Sequence, residues 1–258
     1  MNFLEAIILG VVEGFTEFLP ISSTAHLILT SQVLRIPESA FLSSFIIAIQ
    51  LGAIASVVLI FWRRVFLNFC VMKRVSVAFI PTALIGYALY SLVKGFLFDS
   101  LEIIAWTLLL GGIILIIFEY WRKDRTIVET PLSEMPYMTA FVIGCIQAIA
   151  IIPGVSRAGA TIVGGMLLGL GRKEIVEFSF LLAIPTMLAA TGYDLLKTGS
   201  SFAAHEWELL AVGFLVSFIA AYAGIRFLMR LVQTHSFTGF GWYRVVLGVA
   251  VLAYLYVA

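Results

Sequence analysis

The sequence predicts an all-α integral membrane protein with six transmembrane helices and two re-entrant helical hairpins, arranged as two inverted-topology repeats. Three observations carry this prediction: the composition, a set of long charge-free segments, and a similarity between the two halves. Of the 258 residues, 62% are hydrophobic and 12% are charged, whereas soluble domains average about 25% charged. A net charge of +1 also argues against a nucleic-acid partner, because such proteins carry a basic face.

The charge-free segments have the lengths that a membrane selects. They cover residues 39–62, 75–93, 103–118, 135–156, 178–193, 209–225 and 245–258. A hydrocarbon core of about 30 Å is crossed by roughly 17–25 apolar helical residues. We expect six of the segments to span the membrane, because the segment at 135–156 is interrupted near its end.

The two halves of the chain resemble each other at an offset of 133 to 136 positions. Residues 44–49 (SFIIAI) match residues 179–184 (SFLLAI), and single residues match at Pro20 and Pro153, Tyr87 and Tyr222, Trp106 and Trp242, Gly112 and Gly248, and Tyr120 and Tyr256. A nearly constant offset through successive segments predicts an internal duplication. We expect one membrane domain, 1–258, made of a first repeat at 1–126 with hairpin 3–34 and a second at 137–258 with hairpin 138–170.

Each hairpin is predicted from a break inside an apolar segment. The breaks read Leu19-Pro20-Ile21-Ser22-Ser23 and Ile152-Pro153-Gly154-Val155-Ser156. Proline has no amide to give to a helix, and serine caps a new one. The arms then cover 3–18 and 24–34 in the first hairpin, and 138–152 and 157–170 in the second.

The orientation follows from the basic residues of the short loops, which face the cytoplasm in membrane proteins. These residues are Arg63, Arg64, Lys73 and Arg74 between spans one and two, Arg122, Lys123 and Arg125 after span three, Arg172 and Lys173 before span four, and Arg226 and Arg230 before span six. The alternate loops hold little more than Lys94, Asp99, Glu102, Lys197, His205, Glu206 and Glu208. We therefore expect both termini outside the cell membrane, and nearly all basic residues except Arg157 at cytoplasmic ends.

Three spans per half invert the second half, so the two broken turns are expected to meet near the midplane, where inverted repeats place their sites. The first hairpin brings Glu13 and Glu17, four residues apart on one helix face, and His26. The second brings Arg157. Each ionisable group costs at least about 2.5 kcal/mol against lipid, so the set must face inward.

These groups favour binding and cleavage of a phosphate or diphosphate. Helix N-termini at Ser22-Ser23 and at Ser156-Arg157 aim amides at one spot, and an arginine fork matches phosphate oxygens. Glu13, Glu17 and His26 supply a nucleophile or base, a proton donor, and carboxylates for Mg²⁺ or Ca²⁺. The bland alternative is a structural polar core in which Glu17 pairs with Arg157. Two roles for Gln50 stay open on equal terms: it lines the site, or it hydrogen-bonds to a neighbouring helix.

At these motifs the sequence resembles the undecaprenyl-diphosphate phosphatases, the bacitracin-resistance family of membrane enzymes. The similarity rests on residues 13–26, 50–52, 61–64, 153–161 and 177–183. It implies removal of the terminal phosphate from a polyprenyl diphosphate at the outer face, which recycles the lipid carrier of cell-wall synthesis. It also implies catalytic roles for Glu13, Glu17, Ser23, His26 and Arg157. Ala158 stands where the family usually has a serine, which predicts one phosphate donor fewer.

Three routes of attack stay open at this point: Ser23 activated by His26, His26 itself, or water. We expect a divalent cation on Glu13 and Glu17, and substrate contacts from Ser22, Thr24, Gln50, Gly154, Ser156 and Thr161. The expected partners are the polyprenyl diphosphate and membrane lipid, and the sequence leaves a homodimer open. The rival function is a lipid-phosphate transporter or flippase that uses the same anion site.

Overall fold

The computed structural model describes residues 1–92, 100–122, 130–199 and 202–257. Within these ranges the secondary structure is helical. The helices are α1 (Phe3–Thr16), α2 (Ser23–Val33), α3 (Ala40–Ala48), α4 (Gln50–Ile60), α5 (Trp62–Leu67), α6 (Phe69–Leu92), α7 (Leu101–Arg122), α8 (Tyr137–Gln147), α9 (Arg157–Leu167), α10 (Arg172–Thr198), α11 (Ala204–Leu231) and α12 (Thr238–Val257), with one 3-10 turn at Ala148–Ile151.

Six segments of the described chain are long and apolar enough to cross a membrane, as the sequence predicts. They are Ala40–Ile60, Phe69–Leu89, Leu101–Arg122, Arg172–Thr198, Ala204–Leu231 and Thr238–Val257. The chain is therefore a multi-pass membrane protein. Helices α3 and α4 form the first span together, because Ile49 between them keeps a right-handed helical backbone and donates to the Phe45 carbonyl over 3.0 Å. Gln50 is buried within this span.

Basic segments that are far apart in sequence lie together at one end of the bundle. Arg64 Nε lies 2.8 Å from Glu177 Oε1, and Arg172 Nη2 lies 2.7 Å from Glu119 Oε2. These pairs join α5 to α10 and α10 to α7. The predicted loop residues Lys94, Asp99, Lys123 and Arg125 lie outside the described residues.

The opposite end of the bundle holds the N-terminus and the start of α11. The rings of Phe3 and His205 are 5.4 Å apart, and the Tyr256 hydroxyl donates to Glu102 over 2.6 Å. The two ends therefore differ in charge in the way that the loop pattern predicts. Which end faces the cytoplasm stays a prediction.

The pairing of α7 with α12 is compatible with the predicted duplication. A methyl group on Gly112 would lie 2.6 Å from the Gly241 carbonyl oxygen, and one on Gly248 would lie 2.7 Å from the Leu109 nitrogen. Gly112 and Gly248 match in the repeat, and each glycine lets the two helices approach closely. The contacts run in opposite directions along the two helices, as an inverted repeat requires. The repeat boundaries themselves stay a prediction.

Each hairpin packs on a long helix of the other half. In the first hairpin α1 lies against α11, where a methyl group on Gly14 would meet the Ser217 carbonyl oxygen at 2.5 Å. In the second hairpin α8 lies against α6, and Gly144 closely approaches the Ala78 carbonyl. This exchange brings both broken turns to the centre of the bundle.

Serine side chains cap both returning helices, as predicted. Ser22 accepts a hydrogen bond from the Ala25 amide over 3.4 Å, and Ser156 accepts one from the Gly159 amide over 3.0 Å. The turns use left-handed backbone, at Gly154 with φ of 86° and at Ser22 with φ of 70°. This conformation costs a non-glycine residue about 1–2 kcal/mol, so surrounding contacts must hold Ser22 in it.

Candidate active site

The two hairpin turns are in direct contact, as the predicted topology requires. The Ser156 hydroxyl donates to the Leu19 carbonyl over 3.4 Å. Glu17 and Arg157 form an ion pair with 3.0 Å between Oε1 and Nη2, and their side chains are only 5% and 8% exposed. Burial of this depth weakens screening by water, so the pair joins the turns electrostatically as well as sterically.

Glu17 also accepts a hydrogen bond from Ser23. The Ser23 hydroxyl donates to Glu17 Oε2 over 2.5 Å, while Oε1 is held by Arg157. Ser23 is the first residue of α2, and Ser22 has taken over the capping of that helix. The Ser23 hydroxyl is therefore free to point at a carboxylate that can accept its proton.

Arg157 is anchored from behind by residues of α9 and α10. Its Nη1 donates to the Ser179 carbonyl over 2.8 Å, and the Ser179 hydroxyl lies 2.6 Å from the Thr161 hydroxyl. Arg157 Nε is buried and has no hydrogen-bond acceptor among the described residues. Ser179 was not among the predicted site residues, although it lies in the repeated segment at 44–49 and 179–184.

A cavity of about 670 Å³ opens at this ion pair. Its polar end contains most of the predicted site: Glu17, Ser22, Ser23, Thr24, Gln50, Gly154, Ser156 and Arg157. Its other end is largely apolar and lies between α6 and α10, with Phe79, Ala83, Tyr87, Met187, Ala190 and Tyr193. The cavity therefore combines a small charged pocket with space for a chain of carbon atoms.

The polar end of the cavity is suited to an anion. Helices α2 and α9 both begin there, and the first amides of a helix have no acceptor within it. Helix N-termini also carry partial positive charge. With the guanidinium of Arg157, which lines this end of the cavity, these donors match the oxygens of a phosphate group.

Glu13 lies behind this wall rather than in it. Its side chain is fully buried, it does not line the cavity, and neither carboxylate oxygen accepts a hydrogen bond from a described residue. Two buried oxygens without partners fit a hard cation, which prefers carboxylate ligands. In the described part of the chain, no cluster of three or more His, Cys, Asp or Glu residues could hold a metal ion, so phosphate oxygens or water would complete the coordination.

His26 and Thr161 do not line the cavity. His26 Nδ1 donates to the Ser22 carbonyl over 2.7 Å, and its Nε2 lies 2.7 Å from the Tyr243 hydroxyl. Thr161 hydrogen-bonds to its own helix and to Ser179. Both side chains therefore contact residues of the cavity wall without lining the cavity themselves.

Arg244 is a buried residue of the site region that the sequence analysis missed. It is 3% exposed, and its guanidinium donates to the carbonyls of Pro20 over 3.2 Å and of Gly154 over 3.1 Å. An arginine seven residues into a span was the available signal, because such a position is costly in lipid. Arg157 is therefore not the only basic side chain inside the described bundle.

Ala158, which stands where the family usually has a serine, is not part of the cavity wall. Ala158 is fully buried in a hydrophobic cluster with Phe18 and Phe178, and it does not line the cavity. A serine in its place would point into that cluster. In this structure position 158 therefore does not offer a donor to the cavity, and the effect of the missing hydroxyl on phosphate binding stays a prediction.

Comparison with known proteins finds sequences that are similar to this chain over nearly its whole length. The sequence profile of a family described as "Bacitracin resistance protein BacA" matches residues 6–250. A protein of Aquifex aeolicus (strain VF5) named "Undecaprenyl-diphosphatase" is 49% identical over 255 residues, which cover 98% of this chain and 99% of the relative. Relatives with the same name occur in Sulfurihydrogenibium sp. (strain YO3AOP1), at 49% identity over 96% of this chain and 98% of the relative, and in Bdellovibrio bacteriovorus, at 45% over 99% and 97%.

The match runs through both hairpins and all six spans rather than a single motif. Identity near one half over almost the full length of both chains leaves no part of the fold unmatched. The chain belongs to the bacitracin resistance protein BacA family.

Proposed function

We propose that the chain is an undecaprenyl-diphosphate phosphatase, which hydrolyses the terminal phosphate of a polyprenyl diphosphate and releases the polyprenyl phosphate and orthophosphate. The observation that carries the proposal is the Ser23 hydroxyl, which donates to Glu17 beside Arg157 at the charged end of an otherwise apolar cavity. The names of the relatives support the same activity. They do not favour the transporter alternative.

The substrate fits the cavity in one direction. The terminal phosphate occupies the charged end, where Arg157 and the first amides of α2 and α9 neutralise its oxygens. The prenyl chain extends along the apolar walls of α6 and α10, near Tyr87 and Tyr193. Because the phosphate is bound beside Ser23, the two reacting groups do not have to meet by diffusion.

The reaction begins with attack by Ser23. Its oxygen bonds to the terminal phosphorus as Glu17 accepts its proton, the anhydride bond breaks, and the polyprenyl phosphate leaves. Glu17 passes this proton to the departing polyprenyl phosphate and is again a free carboxylate. Water then attacks the phosphoserine, Glu17 takes a proton from that water and returns it to the Ser23 oxygen, and the bond between Ser23 and phosphorus breaks to give orthophosphate. Arg157 stabilises the charge on the transferring group in both steps.

A divalent cation, Mg²⁺ or Ca²⁺, belongs to the proposal as a second source of positive charge. Glu13 and Glu17 would hold it, because Glu13 offers two buried oxygens without partners. When bound, such a cation supplies Lewis-acid stabilisation to phosphate oxygens. We expect chelator-treated protein to lose activity and to regain it with Mg²⁺ or Ca²⁺. Full activity after chelation would remove the cation from the proposal.

The central experiment measures orthophosphate release from undecaprenyl diphosphate by purified protein in detergent. Substrate labelled in its terminal phosphate should leave an acid-stable phosphoserine on the wild type and none on Ser23→Ala. An acid-labile phosphoenzyme that survives in Ser23→Ala would instead make His26 the nucleophile. Lipid flipping in liposomes without phosphate release would favour the transporter alternative and contradict the proposal.

The orientation in the cell membrane is also proposed. The basic end of the bundle would face the cytoplasm, and the cavity reaches the end portions of α6 and α10 that lie away from it, at Tyr87 and Tyr193. The active site and both termini would then face outward. Cysteine labelling in intact cells tests this: a cysteine at His205 should react with an impermeant reagent, and one at Arg226 should not. The sequence leaves a homodimer open, and a measurement of the oligomeric state in detergent decides it.

A further inference from the structure

One guanidinium on α12 joins the two halves of the active site from behind. Arg244 Nη1 donates to the Pro20 carbonyl, and Nη2 donates to the carbonyls of Gly154 and Thr107, over 3.2, 3.1 and 2.9 Å. Its Nε donates to the Leu108 carbonyl over 3.4 Å. All four acceptors are backbone carbonyl oxygens, two of them in the hairpin turns. Arg244 does not line the reaction cavity.

The residue before it, Tyr243, reaches the first turn through His26. The tyrosine hydroxyl lies 2.7 Å from His26 Nε2, and the two rings stack at 5.5 Å with an interplanar angle of 12°. A carbonyl oxygen only accepts, so His26 Nδ1 must be the donor to Ser22. In the neutral ring Nε2 is then the acceptor, and the tyrosine hydroxyl donates to it.

The Ser22 carbonyl belongs to the strained residue of the turn. Ser22 has φ of 70°, and its side chain caps α2. This backbone conformation lets Ser22 take the capping role and leaves the Ser23 hydroxyl for Glu17. The bond from His26 therefore holds the conformation on which the orientation of Ser23 depends.

Tyr243 also borders a different cavity, of about 480 Å³, which it shares with Ile21 and Phe240. The reaction cavity has neither His26 nor Tyr243 in its lining. His26 thus points away from the place where the phosphate binds, and its two ring nitrogens are both engaged in hydrogen bonds.

We propose that Tyr243 and Arg244 form an α12 clasp that positions the reacting groups, and that His26 works as part of this clasp rather than on the phosphate. Arg244 sets the distance between the turns that carry Ser23 and Arg157, and Tyr243 with His26 holds the Ser22 turn. The inference rests on the proposed phosphatase function. Misplacement of reacting groups by about 1 Å lowers rates by about 10²-fold, so the clasp affects kcat more than substrate binding.

The first test compares two substitutions of His26. The amide nitrogen of His26→Asn can still donate to the Ser22 carbonyl but cannot transfer protons or carry phosphate. We expect His26→Asn to stay within about tenfold of the wild-type kcat and His26→Ala to fall by about 10²-fold. Equal losses in the two variants, or an acid-labile phosphoenzyme in the wild type, would overturn the inference.

The tyrosine is tested by Tyr243→Phe, which keeps the ring and removes the hydroxyl. We expect kcat to fall by about tenfold with KM within about threefold of wild type, because the phosphate-binding groups stay in place. The matched control is Tyr256→Phe on the same helix, which removes the hydroxyl bonded to Glu102 at the end of the bundle. It should leave kcat and KM unchanged. Wild-type kcat in Tyr243→Phe would contradict the role of the tyrosine.

The arginine is tested by Arg244→Lys, whose single ammonium group cannot reach carbonyls on both turns and on α7. We expect kcat to fall by about 10²-fold and KM by less than about threefold in either direction. The exposed Arg226, which packs over Tyr222, gives the matched control Arg226→Lys with unchanged kinetics.

A second variant covers the case in which Arg244→Lys does not elute as a folded protein. In Gly111→Ala the new methyl group would meet Arg244 Nη2 and displace the guanidinium without removing it. We expect at least a tenfold loss of kcat, whereas Gly192→Ala, with no neighbour within 4 Å, should match the wild type. An active wild type with fully active, folded Arg244→Lys or Gly111→Ala refutes this inference alone. A wild type that releases no orthophosphate refutes the proposed function instead.

Discussion

The two hairpins follow the same plan but differ by one residue at the start of the returning helix. Pro20 and Pro153 match in the repeat, and so do Ser23 and Ser156. Ser156 is the cap of α9, and its hydroxyl is occupied by the Gly159 amide and the Leu19 carbonyl. Ser23 lies one residue inside α2, because the left-handed Ser22 caps that helix in its place.

This difference shows how a serine with a structural task becomes one that is available for chemistry. A shift of one residue in capping releases the Ser23 hydroxyl and turns it toward Glu17. The charges are divided in the same way. At an offset of 134, one more than that of the matched prolines and serines, Gln147 stands where the first hairpin has Glu13, and the second hairpin contributes Arg157. In the proposed reaction, one turn supplies the acid–base groups and the other supplies the arginine that binds the phosphate.

The matched serines give the largest expected contrast. Ser23→Ala removes the proposed nucleophile, so kcat should fall by at least about 10³-fold. Ser156→Ala removes a helix cap worth about 1 kcal/mol and should lower kcat by less than about tenfold. Phosphate release and the melting temperature in detergent separate the two effects. Similar losses of kcat in both variants would show that the hairpins are not divided as described.

The ion pair between the hairpins gives the next contrast. Arg157→Met leaves Glu17 charged and buried without its partner, which should cost about 3–5 kcal/mol of stability and most of the activity. The double variant Arg157→Met with Glu17→Gln should regain much of the stability and none of the activity. Melting temperatures of the single and double variants measure this coupling. Additive losses of stability would mean that the pair does not join the turns.

The two left-handed positions give a smaller contrast in stability. Gly154→Ala places a methyl group against the Thr107 hydroxyl at φ of 86°, which should cost about 2 kcal/mol. Ser22→Gly removes the strain of the positive φ, and the loss of the serine cap costs only a few tenths of a kcal/mol of stability. Its melting temperature should therefore stay at or above that of the wild type. A large destabilisation by Ser22→Gly would mean that the serine side chain, not the backbone conformation, holds the turn.

The smallest effect is expected at Gln147, which hydrogen-bonds to Thr82 and Thr186 over 3.0 and 3.1 Å. Gln147→Met keeps the length of the side chain and removes these bonds. We expect a loss of about 1 kcal/mol of stability and a change in kcat of less than threefold. Glu13→Gln, at the matching position, should abolish the cation requirement together with most of the activity. If Gln147→Met were as damaging as Glu13→Gln, the division of chemistry between the hairpins would be wrong.

Much of the fold was predictable because it follows from local patterns. Charge-free segments predict the spans, and Pro20 and Pro153 followed by serines predict the breaks and caps. The approach of Glu17 to Arg157 was also predictable, since buried opposite charges on two hairpins need each other, although the sequence offered this pair as part of the purely structural alternative. These features depend on the energy of single groups in lipid, which the sequence displays directly.

The remainder depends on packing that no local pattern contains. His26 lies one turn from Ser22, but the side of the turn that it faces is decided by Tyr243, which is 217 positions away. Arg244 escaped notice because it borders the charge-free segment that starts at residue 245, and its carbonyl partners come from three separate parts of the chain. Only the assembled bundle brings these groups together.

The carboxylate of Glu17 lies on Arg157 in the position that the phosphate would take in the proposed reaction. In the proposed reaction, an arriving phosphate would replace a carboxylate oxygen on the guanidinium, so Arg157 would keep an anionic partner in the apolar interior. The displaced carboxylate would then lie beside Ser23, where a proton acceptor is needed. When orthophosphate leaves, the return of the same carboxylate would compete with the product for Arg157, which favours turnover over tight retention of the product.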